Sequence, residues 1–378
     1  MERVEVQDVF HTHGNEYLSG RNLPPHIHTA IRAIKRCRTS ELGGHKDNCG
    51  DCNYVKISYN SCRNRHCPKC QALAKERWIM ARQAELLPVP YFHVVFTLPA
   101  ELSEIVMQNQ VTLYNLLFKA SQEAIRELAS DKKYLGVKIG LTSILHTWGQ
   151  NLTFHPHIHM IVPGGGLAKD DTWRSSGKKF FIPVKVMSRL FRGKFLCYLR
   201  QEKEKLNLNG SIEPLRNPYQ FTALLNSLYQ KEWYVYCKRP FKTTTSVLEY
   251  LGRYTHRVAI SNHRIISITS GQVAFKYRDY KDKNEEKTMT IEAEEFIRRF
   301  LLHILPPQFT KIRHYGLLAS AVKRKELELC RRLLGISTVV NHVPLESAEL
   351  IEKLTGVNIL ICPRCGAELI RAPPDYDN

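Results

Sequence analysis

Long apolar runs are missing from this 378-residue chain: no stretch of about 18 apolar residues occurs, so no segment reads as a membrane span. The opening residues, Met1 to Phe10, have neither the basic start nor the apolar stretch of a signal peptide, which points to a cytoplasmic protein. The phosphate-cradling GxxxxGK[ST] loop is also absent, which argues against an attached helicase or nucleotide-driven engine, and no internal repeat is visible. Acidic side chains are few, 36 against 55 Lys and Arg, leaving a formal net charge of +19. A chain this basic suits a polyanionic partner, nucleic acid before an anionic membrane surface, although charge alone does not separate the two.

Cysteine, by contrast, is plentiful. In a reducing compartment the eleven cysteines should not form disulfides, and five of them fall between Cys49 and Cys70. Cys49 and Cys52 make one CxxC and Cys67 and Cys70 another, at a separation close to that of zinc-ribbon and treble-clef sites. Four thiolates would close the shell of one tetrahedral zinc ion, a structural site with no open position for chemistry. Cys37, His45, Cys62 and His66 lie around the same cluster and could complete a second zinc site. Arg63, Arg65 and Lys69, with Arg36, Arg38, Lys75 and Arg77, are interleaved with these ligands, where a rigid module would present them to phosphates. A further CxxC, Cys362 and Cys365, has no partner pair nearby in sequence and supplies half a site, or a knuckle with idle thiols.

The chain is long enough for two or three domains. Residues 1–85 read as a small zinc-binding DNA-recognition module poor in apolar runs, and 88–320 as an α+β domain. Residues 321–378 read as a C-terminal helical tail carrying the last CxxC. Within the middle segment Tyr91 to Thr97 is β-branched and aromatic, and Glu101 to Ala129 has helical apolar spacing. Leu141 to Trp148 and Phe154 to Val162 read as a strand pair joined by the polar turn Gly149–Asn151, stopped at Pro163 and Gly164 to Gly166. Residues 185–235 look mostly helical. Thr245 to Tyr254 reads as a short helix, Arg264 to Tyr280 as a strand pair, and Ala293 to Leu305 as a helix closed by Pro306 and Pro307.

Strand alternation in Phe154 to Val162 puts His155, His157 and His159 on one face and Phe154, Ile158, Met160 and Val162 on the other. Same-face neighbours on a strand are about 6.6 Å apart, so two such imidazoles can lean onto one cation. Two histidines leave Mg²⁺ or Mn²⁺ undercoordinated and open to phosphate oxygens, which suits phosphodiester chemistry. Gln150, His146 and His155 are the options for a third ligand, with Gln150 favoured because its turn adjoins the histidine strand.

Tyr250 and Tyr254 are four residues apart, so on a helix both phenols would project from one face. Val247, Tyr250, Leu251 and Tyr254 also fit the stripe of an ordinary buried helix. Chemistry favours the first reading: a polarised phosphate needs a nucleophile, and Arg253, His256 and Arg257 would favour a phenolate. Arg253 and Arg257 are therefore also candidate DNA contacts. Attack by tyrosine would conserve the phosphodiester energy in a 5′-phosphotyrosine and free a 3′-OH, and two tyrosines would hold two ends in alternation.

These segments together resemble the rolling-circle transposases of the insertion sequence 91 family. The resemblance rests on GGHKDNCGDCNYVKISYNSCRNRHCPKCQ, HPHIHMIVPGGGL, YLGRYTHRVAIS, EEFIRRFLLHILP and KIRHYGLLA, in family order along nearly the whole chain. It implies an HUH palm, an antiparallel sheet flanked by helices, in which Tyr91 to Thr97 and the histidine strand are central neighbours. It also implies an N-terminal zinc-binding domain, metal ligands His157 and His159, and nucleophiles Tyr250 and Tyr254. The expected activity is metal-dependent nicking and rejoining of single-stranded DNA at hairpin element ends and at a target. Host replication proteins and the nucleoid would be its setting. A plasmid replication initiator or relaxase would share this chemistry, and a non-catalytic zinc-finger regulator would have none of it.

Overall fold

A computed structural model of the protein describes residues 4–176, 182–238, 241, 246–247, 252, 258–279, 282, 284–336 and 345–373. Two helices come first, α1 (Val6–Leu18) and α2 (Pro25–Arg36), then the hairpin strands β1 (Gly44–Cys49) and β2 (Val55–Tyr59) and helix α3 (Pro68–Gln83). Pro25 and Pro68 each occupy a first helical turn, where the missing N–H has no helical partner to lose. In α2 the apolar residues recur at Ile27, Ile31 and Ile34, one face of a helix, and all three are buried.

The aromatic and β-branched run forms β3 (Tyr91–Thr97), buried at every position. Helices α4 (Ser103–Gln108) and α5 (Gln110–Ser130) follow, then β4 (Val137–Lys138), β5 (Gly140–Trp148) and β6 (Phe154–Pro163). A projecting hairpin, β7 (Gly165–Ala168) and β8 (Trp173–Ser175), leads into α6 (Val184–Glu202), α7 (Pro218–Gln230) and β9 (Val235–Lys238). Past residue 258 come a meander, β10 (Ile265–Thr269), β11 (Gln272–Asp279) and β12 (Glu285–Glu292), and α8 (Ala293–Leu301). The described chain closes with β13 (Ile312–Gly316), α9 (Lys323–Leu333), α10 (Ser347–Thr355) and β14 (Leu369–Arg371).

Five of these strands make one antiparallel sheet in the order β13-β5-β6-β3-β9, so the histidine strand is central and β3 is its neighbour, as the family resemblance implies. The fold is therefore α+β, with a mainly antiparallel sheet flanked by helices. Alternation divides the two faces of the sheet. Val94, Phe96, Leu145, Ile158, Met160 and Val162 join the main core with Leu113 and Leu117 of α5 and Phe191 and Phe195 of α6. Each fully buried side chain of this size contributes roughly 1.5–3 kcal/mol relative to exposure. The opposite face carries the histidines.

The glycines after Pro163 act as more than a stop signal, because they form the strand β7. A Cβ on Gly166 would lie 2.4 Å from the Lys138 carbonyl oxygen, and one on Gly165 2.6 Å from that of Arg174. Only glycine lets β4 and β8 flank β7 this closely.

The N-terminal segment, although poor in apolar runs, shares a hydrophobic core with later elements of the chain. Val9, Phe10, Ile31 and Ile34 cluster with Ile260, Phe275, Phe296 and Phe300, and the Phe10 and Phe300 rings meet edge-on at 5.3 Å. The tail holds the helices α9 and α10 and ends on a strand. β14 returns to pair with β1, with Asp47 opposite Arg371 and Cys49 opposite Leu369. Among the described residues no helix is long and apolar enough to cross a membrane.

Candidate metal centres

On β6 the side chains of His157 and His159 share the face away from α5, and the ladder places His146 of β5 directly opposite His157. Ligand-capable nitrogens of these three imidazoles lie within 4.8 Å of one another. Nε2 of His157 is 3.0 Å from Nε2 of His159. Nδ1–H of His157 donates to the His155 carbonyl at 2.6 Å, which fixes the tautomer with the Nε2 lone pair toward His159. On the other side of His159, its Nδ1 faces Nε2 of His93 at 2.7 Å. Burial, reinforced by the other imidazole His155, pulls the His157 pKa down to about 3, so the ring stays neutral and able to ligate.

Three neutral imidazoles so placed could hold one divalent cation. Among the His, Cys, Asp and Glu side chains of the described residues, the third group beside His157 and His159 is His146, one of the three options the sequence offers. Gln150 lies in the turn after β5, where its backbone carbonyl accepts from the Arg264 guanidinium. His155 is exposed at the start of β6 and outside the cluster. His93 was missed: a single histidine in an apolar strand gives no signal until its register against β6 is known.

The cysteines also regroup. Cys49 and Cys52 do not share a site with Cys67 and Cys70. Cys37, Cys62, Cys67 and Cys70 form one group, and Cys49, Cys52, Cys362 and Cys365 another. The physical reason is β2, which carries the chain about 3.3 Å per residue away from the Cys52 turn. It delivers Cys62, Cys67 and Cys70 to Cys37 at the end of α2. Sγ of Cys70 is 3.5 Å from that of Cys37 and 3.6 Å from that of Cys62. Neither histidine of the expected second site joins a cluster: His45 pairs with Asp47 at 3.5 Å, and His66 accepts from Arg65 Nε at 3.3 Å.

Two of the expected phosphate contacts are engaged internally. Arg65 donates to the Phe309 and Pro306 carbonyls at 2.6 and 2.7 Å, and Lys69 pairs with Glu5 at 2.6 Å. Arg63 is exposed. Tyr250, Tyr254, Arg253 and Arg257 lie outside the described residues. Their described neighbours are Val247, clustered with Tyr91, Ile144 and Ile161 on the histidine face, and Gly252, where a Cβ would meet Ile79 of α3. A separate cleft of about 760 Å³, lined by Glu123, Arg126, Lys138, Lys169 and Lys325 among others, contains no residue of the three clusters.

Comparison with known proteins gives these clusters a context. A family described as "Putative transposase" matches residues 140–326, which include His146, His157 and His159. A family described as "Transposase zinc-binding domain" matches residues 9–98, which include Cys37, Cys62, Cys67 and Cys70. The chain is 45% identical to "Putative transposase y4qJ" of Sinorhizobium fredii over 96% of its own length and 92% of that protein. It is 28% identical to "Transposase for insertion sequence element IS801" of Pseudomonas savastanoi pv. phaseolicola, over 90% of this chain and 82% of the relative. The histidine sheet and the cysteine module thus each fall within a matched transposase segment, and the chain belongs to the insertion sequence 91 family of transposases.

Proposed function

We propose that the chain nicks and rejoins single-stranded DNA at the ends of its element through a 5′-phosphotyrosine intermediate. The observation that carries this reading is the convergence of His146, His157 and His159 on one face of a central antiparallel sheet. In this reading the three imidazoles hold Mg²⁺ or Mn²⁺, which when bound supplies a positive charge against the scissile phosphate. Tyr250 or Tyr254 forms the new bond from phenolic oxygen to phosphorus as the P–O3′ bond breaks. The phenolic proton is lost and the departing 3′ oxygen gains one, so the reaction needs no ATP and is reversible by the 3′-OH of another strand.

Val247, three residues before Tyr250, packs with Ile144 and Ile161, whose register neighbours include His159, and this supports a tyrosine segment next to the histidine face. Arg253 and Arg257 would bind the phosphate backbone there. Residues 88–320 would carry the nuclease. Residues 1–85 would recognise the hairpin ends, with zinc on Cys37, Cys62, Cys67 and Cys70 and the exposed Arg38 and Arg63 toward DNA. Host replication proteins at the nucleoid would act on the freed 3′-OH.

The test is to mix purified protein with Mn²⁺ or Mg²⁺ and end-labelled single-stranded terminus DNA, and to look for a covalent protein–DNA band on a denaturing gel. A band that Tyr250→Phe or Tyr254→Phe weakens and a chelator abolishes is expected. A chelator-resistant band would contradict the metal assignment, and a band unchanged in the double Tyr→Phe variant would contradict the nucleophiles.

A further inference from the structure

The matched zinc-binding segment ends at residue 98, yet two cysteines of the second cluster lie far beyond it, at Cys362 and Cys365. Sγ of Cys49 is 3.4 Å from Sγ of Cys365, and Sγ of Cys52 is 3.6 Å from Sγ of Cys362. A disulfide requires about 2.05 Å, and all four thiols are free. Four sulfurs around one zinc at about 2.3 Å would stand about 3.8 Å apart along each edge, close to the spacing here.

Each pair sits on a turn suited to ligation. Cys49 N–H donates to the Tyr54 carbonyl at 2.9 Å across the β1–β2 turn. Cys362 N–H donates to the Ala367 carbonyl at 2.7 Å, and Gly366, with φ of +80°, lets the chain reverse directly after Cys365. The backbone N–H of Arg364 points at Sγ of Cys362 at 3.4 Å, the contact expected of a thiolate acceptor. Arg364 itself stacks over Tyr54, 5.2 Å from the ring centroid.

We infer that Cys49, Cys52, Cys362 and Cys365 form a second structural zinc site, a ribbon assembled from both ends of the chain that fastens the C-terminal tail to the N-terminal hairpin. Besides the sulfurs, the buried residue in this corner is Leu369, with Tyr54 and Ala367 packed against it. So small an apolar cluster supplies little stability, and ligand binding to the folded state supplies the rest. The β1–β14 ladder, Lys56 Nζ donating to the Ile359 carbonyl at 2.8 Å, and Arg371 paired with Asp47 at 3.2 Å then hold the tail in register. The site acts independently of the histidine centre and stands or falls apart from the nuclease reading.

Two measurements on the full-length protein test it. Zinc content by plasma mass spectrometry should be two ions per chain, falling to one in Cys362→Ser/Cys365→Ser. One ion in the wild type, or two retained in the variant, would overturn the inference. Because a variant can simply misfold, thiol protection is read on the unaltered protein by alkylation and peptide mapping, with exposed Cys197 as the internal control. Cys49, Cys52, Cys362 and Cys365 should resist alkylation together and become reactive together on graded chelation. Labelling of Cys362 and Cys365 while Cys49 and Cys52 stay protected would sink the proposal.

Discussion

Nε2 of His93 lies 2.7 Å from Nδ1 of His159, so the two strands β3 and β6 are joined by an imidazole–imidazole hydrogen bond behind a candidate metal ligand. With a metal ion on Nε2 of His159, its Nδ1–H would donate and His93 Nε2 would accept. His93 is a positioning residue in this arrangement. His93→Phe keeps the bulk and removes the acceptor, and it should weaken Mn²⁺ binding about 10–100-fold, the usual loss for an outer partner of a histidine ligand. Isothermal titration without DNA reads this directly; unchanged Mn²⁺ affinity would remove His93 from the centre.

The identity of the third ligand is decided by a paired comparison. His146→Ala should lower Mn²⁺ affinity by at least about tenfold, whereas Gln150→Ala should change it less than about twofold. The reverse ranking would restore Gln150, the choice favoured by sequence position.

Gly316 ends β13 with φ of +61°, and a Cβ there would lie 1.8 Å from the Ile139 carbonyl oxygen. Gly316→Ala must shift backbone at the sheet edge, and about 2 kcal/mol or more of stability should be lost. Urea unfolding measures this, and a wild-type midpoint would show that the strand edge adapts freely.

His303 is fully buried, donating from Nε2–H to the Leu152 carbonyl at 3.0 Å, and burial lowers its pKa to about 4 from the ordinary 6.5. Above pH 6.5 the ring is neutral in both folded and unfolded chains and pH has no effect through it. As pH falls from 6.5 to 4 the unfolded chain takes up a proton that the folded one refuses, and stability drops by about 3 kcal/mol. His303→Gln keeps a donor and an acceptor but cannot titrate. Its stability should fall less over that interval, and identical pH slopes for the two proteins would refute the assignment.

By itself the sequence determined what depends on periodicity and local spacing. Alternation in Phe154 to Val162 set one apolar and one imidazole face, because side chains on a strand must alternate whatever the rest of the chain does. The aromatic and β-branched content of Tyr91 to Thr97 made it a core strand, and the charge balance pointed to nucleic acid. Only the tertiary structure decided which candidate ligands meet. Cys49 and Cys52 found Cys362 and Cys365 rather than Cys67 and Cys70, His146 came to face His157, and His93 came to back His159. A coordination shell is a condition on distances of a few ångströms. Such distances are set by strand register and by chain reversal over hundreds of residues, neither of which leaves a mark in local spacing.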